Sequence, residues 1–154
     1  MSREDRGLVY VAAFVPGDGQ SLVDLTNLPE GAGDMVRANM VVDGDPPVAT
    51  MPAAVARAAF YGKCTAEQAA RAIEQLRPQA LAPFVTPVAL YGAGAPPLRA
   101  YVVATEDRAI PALQRRFVAD NPDLDVAELD SDHSPFLSRT RELAAALERF
   151  AAQE

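Results

Sequence analysis

The stretch Gly7-Leu8-Val9-Tyr10-Val11-Ala12-Ala13-Phe14-Val15 is apolar throughout, rich in β-branched and aromatic side chains, and closed by Pro16-Gly17. A strand with water on one face alternates polar and apolar residues. A run with no polar interruption predicts a strand covered on both faces, as in a parallel sheet. Leu98-Arg99-Ala100-Tyr101-Val102-Val103-Ala104 is a second run of this kind, after the breakers Pro96-Pro97. A third, Asp125-Val126-Ala127-Glu128-Leu129, alternates and suits an edge strand.

Helical patterns separate these runs. Pro111 opens one helix, in the first turn where its missing N–H has no partner to lose. Ala112, Leu113, Phe117 and Val118 supply its apolar positions, and Asn121-Pro122 ends it. A helix over 139–152 places Leu143, Ala146, Leu147 and Phe150 at i, i+3, i+4 and i+7. Strand, helix, strand, helix with short links predicts an α/β fold with about three parallel strands and flanking helices.

Residues 16–97 behave differently, and are too many for a connecting loop. Residues 20–47 are rich in Gly, Asp and Pro and read as loop with short helical turns. Residues 52–61 read as a helix with Val55, Ala58 and Ala59 inside. Thr65-Ala66-Glu67-Gln68 is a capping box that starts a helix running to Leu76, with Ala69, Ala72, Ile73 and Leu76 on one stripe, before Arg77-Pro78. The expectation is one unit over 1–154, with 16–97 inserted between the first two strands as a helical subdomain or lid. Gly17-Asp18-Gly19 and Gly92-Ala93-Gly94 read as turns.

Composition narrows the function classes. A net charge of −7 and a pI near 4.7 argue against nucleic acid or an anionic membrane surface as partner. No apolar run approaches the ~20 residues that span a bilayer. The lone Cys64 closes no intrachain disulfide, and Met1-Ser2-Arg3-Glu4-Asp5-Arg6 leads into no secretory pattern; both point to the cytoplasm. One His and one Cys make a zinc site improbable, and no P-loop or G-x-G-x-x-G is present, so neither metal nor cofactor is expected.

Two residues stand where chemistry is done in such folds. Asp107 follows the second strand in Thr105-Glu106-Asp107-Arg108, and His133 follows the third in Asp130-Ser131-Asp132-His133-Ser134-Pro135. Open α/β sheets place their sites at the carboxyl ends of the strands, so both residues face one rim. An Asp that orients an imidazole and an imidazole that takes a proton are two members of a charge-relay site. An acidic residue after a strand is common, however, and a lone His is often a solvated loop residue. Ser21, in the inserted cap, and Ser131, Ser134 and Ser138, beside His133, read as hydrophilic cap or loop residues rather than nucleophiles, and terminal Ser2 is not preorganised. Cys64, just before the capping-box Thr65, reads as packing at the helix entry.

The motifs Leu8-Val9-Tyr10-Val11-Ala12-Ala13-Phe14-Val15-Pro16 and Phe60-Tyr61-Gly62-Lys63-Cys64-Thr65-Ala66-Glu67-Gln68-Ala69-Ala70 resemble the α/β-hydrolase superfamily. Within it they look like the esterase branch that includes plant methylesterases and hydroxynitrile lyases. Tyr101-Val102-Val103-Ala104-Thr105-Glu106-Asp107-Arg108-Ala109-Ile110-Pro111 and Asp132-His133-Ser134-Pro135-Phe136-Leu137-Ser138 continue the resemblance in the same order, over residues 7–151. It implies Asp107 as triad acid, His133 as general base, and 16–97 as a cap over an acyl pocket, with Met35, Met40, Val41, Phe60 and Leu81 among its apolar residues.

The resemblance also carries a departure. The family places its serine on a G-x-S-x-G elbow ahead of the Asp and His, and this sequence has none. The chain therefore reads as the C-terminal half of an α/β-hydrolase fold, esterase-like and inactive alone without a Ser-bearing N-terminal half. The alternatives are a non-catalytic small-molecule-binding or dimerisation module and a truncated gene product. The expected partners are a small apolar ester and a second copy or complementing half, docked where Val9, Val11 and Phe14 leave the first strand unpaired.

Overall fold

The computed structural model describes residues 7–90 and 99–152. Ser2, Leu98 and the Gly92-Ala93-Gly94 turn lie outside the described residues.

A parallel sheet is built from β1 (Leu8–Val11), β5 (Arg99–Ala104) and β6 (Asp125–Leu129), in the order β1-β5-β6. Tyr10 pairs with Tyr101 on one side of β5, and Tyr101 with Val126 on the other. The strand buried on both faces is β5. Its Tyr101 and Val103 join Leu113 and Phe117 of α6 (Pro111–Asp120) on one side. Ala100 and Val102 meet Leu143 and Phe150 of α8 (Thr140–Ala151) on the other. Residues of alternate parity thus enter two separate cores, the packing of a sheet with helices on both faces. A single turn, α7 (Pro135–Ser138), precedes α8.

The first strand is shorter and barer than its apolar run predicts. β1 stops at Val11, with Leu8 exposed and Val9 to Val11 only half-buried. Ala12 turns into the left-handed region at φ 44°, where a side chain is strained. The Tyr101 hydroxyl then takes over the backbone of Ala13, donating to its carbonyl at 2.6 Å and accepting from its amide at 3.1 Å. Phe14 is therefore not on the strand edge at all; it packs on Phe117, ring centroids 6.0 Å apart.

Between β1 and β5 the chain carries α1 (Leu22–Thr26), a 3-10 turn (Pro29–Gly33), α2 (Met35–Asn39), α3 (Ala53–Phe60), α4 (Ala66–Gln75) and α5 (Ala82–Val85). The insertion is not wholly helical, contrary to the expectation of a helical subdomain. β2 (Val41–Asp43), β3 (Val48–Thr50) and β4 (Gln79–Ala80) form an antiparallel sheet within it. Its hairpin turns at Asp43-Gly44, where Gly44 sits at φ 89°. In α3 the fully buried positions are Ala56 and Ala59 rather than Val55 and Ala58. The Thr65–Gln68 capping box forms with both of its reciprocal bonds. Among the described residues no helix is long and apolar enough to cross a membrane.

Candidate active site

Asp107 sits three residues beyond the end of β5, and its side chain is fully buried. Its position is set locally. Oδ1 accepts from the Ala109 amide at 2.7 Å, and Oδ2 accepts from Gln114 Nε2 at 2.7 Å. Gln114, on the first turns of α6, is itself fully buried. It also accepts from the Ala104 amide at 3.0 Å and donates to the Ala104 carbonyl at 3.2 Å. One side chain thus ties the end of β5, the Asp107 carboxylate and α6 together.

His133 follows β6, and pairing continues past the strand ends to bring the two loops side by side. The Thr105 amide donates to the Leu129 carbonyl and the Glu106 amide to Ser131, both at 2.9 Å. His133 Nδ1 then lies 3.0 Å from Asp107 Oδ2. A carboxylate only accepts, so the contact requires the imidazole proton on Nδ1. The ring is partly open, its side chain 27% exposed, and the Phe60 ring stands beside it at 5.5 Å between centroids. Among the described residues Nε2 has no hydrogen-bond partner.

Three of the four serines are buried rather than solvated. Ser21 is the buried N-cap of α1 and shares a capping box with Asp24. Ser131 and Ser134 are buried, and Ser138 Oγ donates to Asp132 Oδ1 at 2.7 Å. The His133 loop is packed against the α3–α4 corner rather than lying on water, which buries these hydroxyls. None of the four hydrogen-bonds the His133 ring among the described residues. Cys64 is buried, and burial, then Asp132, pushes its thiol up to about 11, the opposite of an activated nucleophile.

Three residues near the pair were not singled out from sequence. Gln114 had a readable signal: a polar side chain between Leu113 and Phe117 on an inward face. Asp132 had none beyond its place before His133. Asp34, the buried N-cap of α2, is brought close where the Met35 amide donates to the Arg108 carbonyl. Burial holds its carboxyl above the ordinary range against the Arg37 and Val36 amides, and Asp107 adds to the rise.

A groove of about 730 Å³ lies elsewhere, along Leu8, Tyr10, Leu28, Val88, Arg99 and Phe117. Leu8 and Arg99 open their strands, so it lies toward the amino ends of the sheet, away from Asp107 and His133. Met35, Met40, Val41, Phe60 and Leu81 do not line it. Among the described residues no group of three or more His, Cys, Asp or Glu could hold a metal ion.

A βαβα unit that sets an Asp after one parallel strand against a His after the next belongs to the doubly covered α/β class, with its polar site on the carboxyl rim. The chain belongs to the alpha/beta hydrolase family, whose model matches residues 3–146. It is 28% identical over 144 residues to "Putative methylesterase 11, chloroplastic" of Arabidopsis thaliana, covering 88% of this chain and 37% of that protein. It is 29% identical over 144 residues to "Putative methylesterase 13, chloroplastic" of the same plant, covering 88% and 32%. Among solved structures, a pyrethroid hydrolase from Sphingobium faniae JZ-2 superposes with a TM-score of 0.82 at 23% identity, over 95% of this chain and 60% of that one. The curated relatives are named as methylesterases, and the chain spans about a third of their length.

Proposed function

We propose that this chain carries the acid–base half of a serine ester hydrolase. The observation that carries the reading is the 3.0 Å contact between His133 Nδ1 and the buried Asp107 Oδ2, on the rim where such folds work. The names of the curated relatives, methylesterases, supply the ester chemistry. Asp107 fixes the imidazole with Nε2 open as the base. A serine carried outside the Gly7–Ala152 span attacks the ester carbonyl and gives its proton to Nε2. The tetrahedral intermediate collapses, the carbon–oxygen bond to the alcohol breaks, and His133 returns the proton to the leaving alkoxide. Water, deprotonated by His133, then attacks the acyl-enzyme and frees the acid and the serine. The substrate class is a small, fairly apolar ester, with residues 16–97 as the cap above it. The buried free thiol of Cys64 suits a reducing cytoplasm.

The test is labelling by a serine-reactive phosphonate and turnover of p-nitrophenyl esters. The 154-residue chain is measured alone and mixed with a polypeptide bearing the G-x-S-x-G half. The expected result is no labelling alone and labelling of the elbow serine in the mixture. His133→Ala abolishes turnover, and Asp107→Asn lowers kcat about 10⁴-fold. Labelling of the chain alone, or turnover indifferent to His133, overturns the reading.

A second reading rests on β1, which among the described residues has β5 as its single strand neighbour and exposes Leu8. An open edge of this kind recruits another strand. Here the chain is a non-catalytic assembly module whose edge pairs with a second copy. Light scattering separates the two: a dimer dispersed by Val9→Lys, with a cellular effect indifferent to His133→Ala, favours assembly.

A further inference from the structure

Asp132 immediately precedes His133 and is only 1% exposed. Among the described residues it has no cationic partner, although burying an unpaired carboxylate is costly. What it has instead is a full set of neutral donors from two parts of the chain. Oδ1 accepts from the Ser134 amide at 3.1 Å, in its own loop, and from Ser138 Oγ at 2.7 Å, at the end of α7. Oδ2 accepts from the Lys63 amide at 2.7 Å and faces Cys64 Sγ at 3.5 Å, in the corner between α3 and α4. Both oxygens of a carboxylate accept, so one residue can grip both segments; an amide, with one oxygen, cannot.

The same two segments meet at three further points. Lys63 Nζ pairs with Asp130, Gln68 Nε2 donates to the Leu137 carbonyl at 3.1 Å, and Phe60 lies against the His133 ring. Asp132 is the most deeply buried side chain of the seam. Its backbone runs directly into His133, so the orientation it imposes on its own carboxylate also sets where the next side chain leaves the loop.

We infer that Asp132 is the positioning residue for His133, holding the imidazole on Asp107 by clamping its loop to the α3–α4 corner. The role in catalysis rests on His133 being the general base; the geometric claim does not. With Asp132 in place, the two members of the pair are held from opposite directions, and the ring keeps its proton on Nδ1. Without it, the loop is free to move off the corner and the ring off Asp107.

The chain has a single histidine, so ¹⁵N imidazole NMR of the whole protein reports on His133 alone, with no turnover needed. Spectra are taken at about pH 8.5, above the ordinary imidazole pKa of about 6.5. The wild type is expected as the Nδ1–H tautomer. Asp132→Asn is expected to lower the ratio of Nδ1–H to Nε2–H about tenfold, the scale of losing hydrogen bonds to a charged group. Ser138→Ala, which removes one donor and leaves the carboxylate, shifts the ratio the same way by less, and carries the test if Asp132→Asn does not fold. A tautomer unchanged in the folded variants overturns the inference, even where the melting temperature falls, because that result makes Asp132 structural only. A wild type already in the Nε2–H form overturns it too and removes the Asp107–His133 contact with it. Phosphonate labelling indifferent to His133, with the tautomer shift intact, sinks the catalytic reading alone.

Discussion

Asp107 and His133 meet at one hydrogen bond but are held in opposite ways. Every group that fixes Asp107 comes from its own β5–α6 unit: the Ala109 amide two residues on and Gln114 seven residues on. The His133 loop is fastened by Lys63, Cys64 and Gln68, up to 69 residues earlier in the chain. One half of the pair is a property of a local βα turn, and the other depends on the docked insertion as well as on the Thr105 and Glu106 bonds that extend the β5–β6 pairing. The acid is therefore built to stay, and the base is exposed to whatever moves the insertion.

The largest expected effect strikes the local side. Gln114→Leu removes the donor to Asp107 Oδ2 and the acceptor of the buried Ala104 amide, and leaves the Ala104 carbonyl to the Asp107 amide alone. Its cost is about 3 kcal/mol, read as a shift of the urea midpoint. A shift below about 1 kcal/mol would mean that Asp107 is seated by something other than α6.

Alkaline pH is expected to loosen the remote side. Cys64, raised from 9.0 to about 11, and Tyr61, raised by burial, both sit at the α3–α4 corner. The folded thiol keeps a proton that the unfolded chain gives up, so its contribution is complete below pH 9 and is lost as pH rises through about 11. For the thiol this is on the order of 2 kcal/mol. Cys64→Ala should flatten the decline in melting temperature over that range, and an unchanged slope would place the alkaline sensitivity elsewhere.

Gln68→Ala removes the bond to the Leu137 carbonyl and half of the Thr65 capping box. About 1 kcal/mol is expected. Hydrogen exchange is the sharper readout: the Ser134 and Ser138 amides should exchange faster while the Ala109 amide does not change. Equal acceleration at all three would erase the contrast between the two loops. Arg71→Ala is the smallest change, since its i,i+4 pair with Glu67 is exposed on both sides and worth about 0.3 kcal/mol.

The same contrast governs what could be read from the sequence. Elements fixed by local pattern were legible: β6 over Asp125–Leu129, α6 from Pro111, α8, and the Thr65 capping box. That Asp107 and His133 share one rim was legible because each lies in the loop after a parallel strand. The length of β1 was not, since it is set by Ala12 turning left-handed and by a hydroxyl on Tyr101, far along the chain. The β2–β3 hairpin carried a signal in Asp43-Gly44 between β-branched pairs, masked by the Gly, Asp and Pro content around it. The Asp132 clamp left no trace, because its partners at Lys63 and Cys64 are backbone and thiol groups that no spacing connects to it.

The pairing of β1 with β5 has a consequence for how the chain assembles. Tyr101 reaches back 88 residues to Ala13, whereas Ala100 of β5 meets Asp125 of β6 across a single helix. Closing the longer loop costs about 1 kcal/mol more in chain entropy, before any contact within the insertion is counted. The β5–α6–β6–α8 unit is thus the natural folding nucleus, and β1 is a late arrival. The Asp107 seat forms with the nucleus; the grip on His133 waits for the rest.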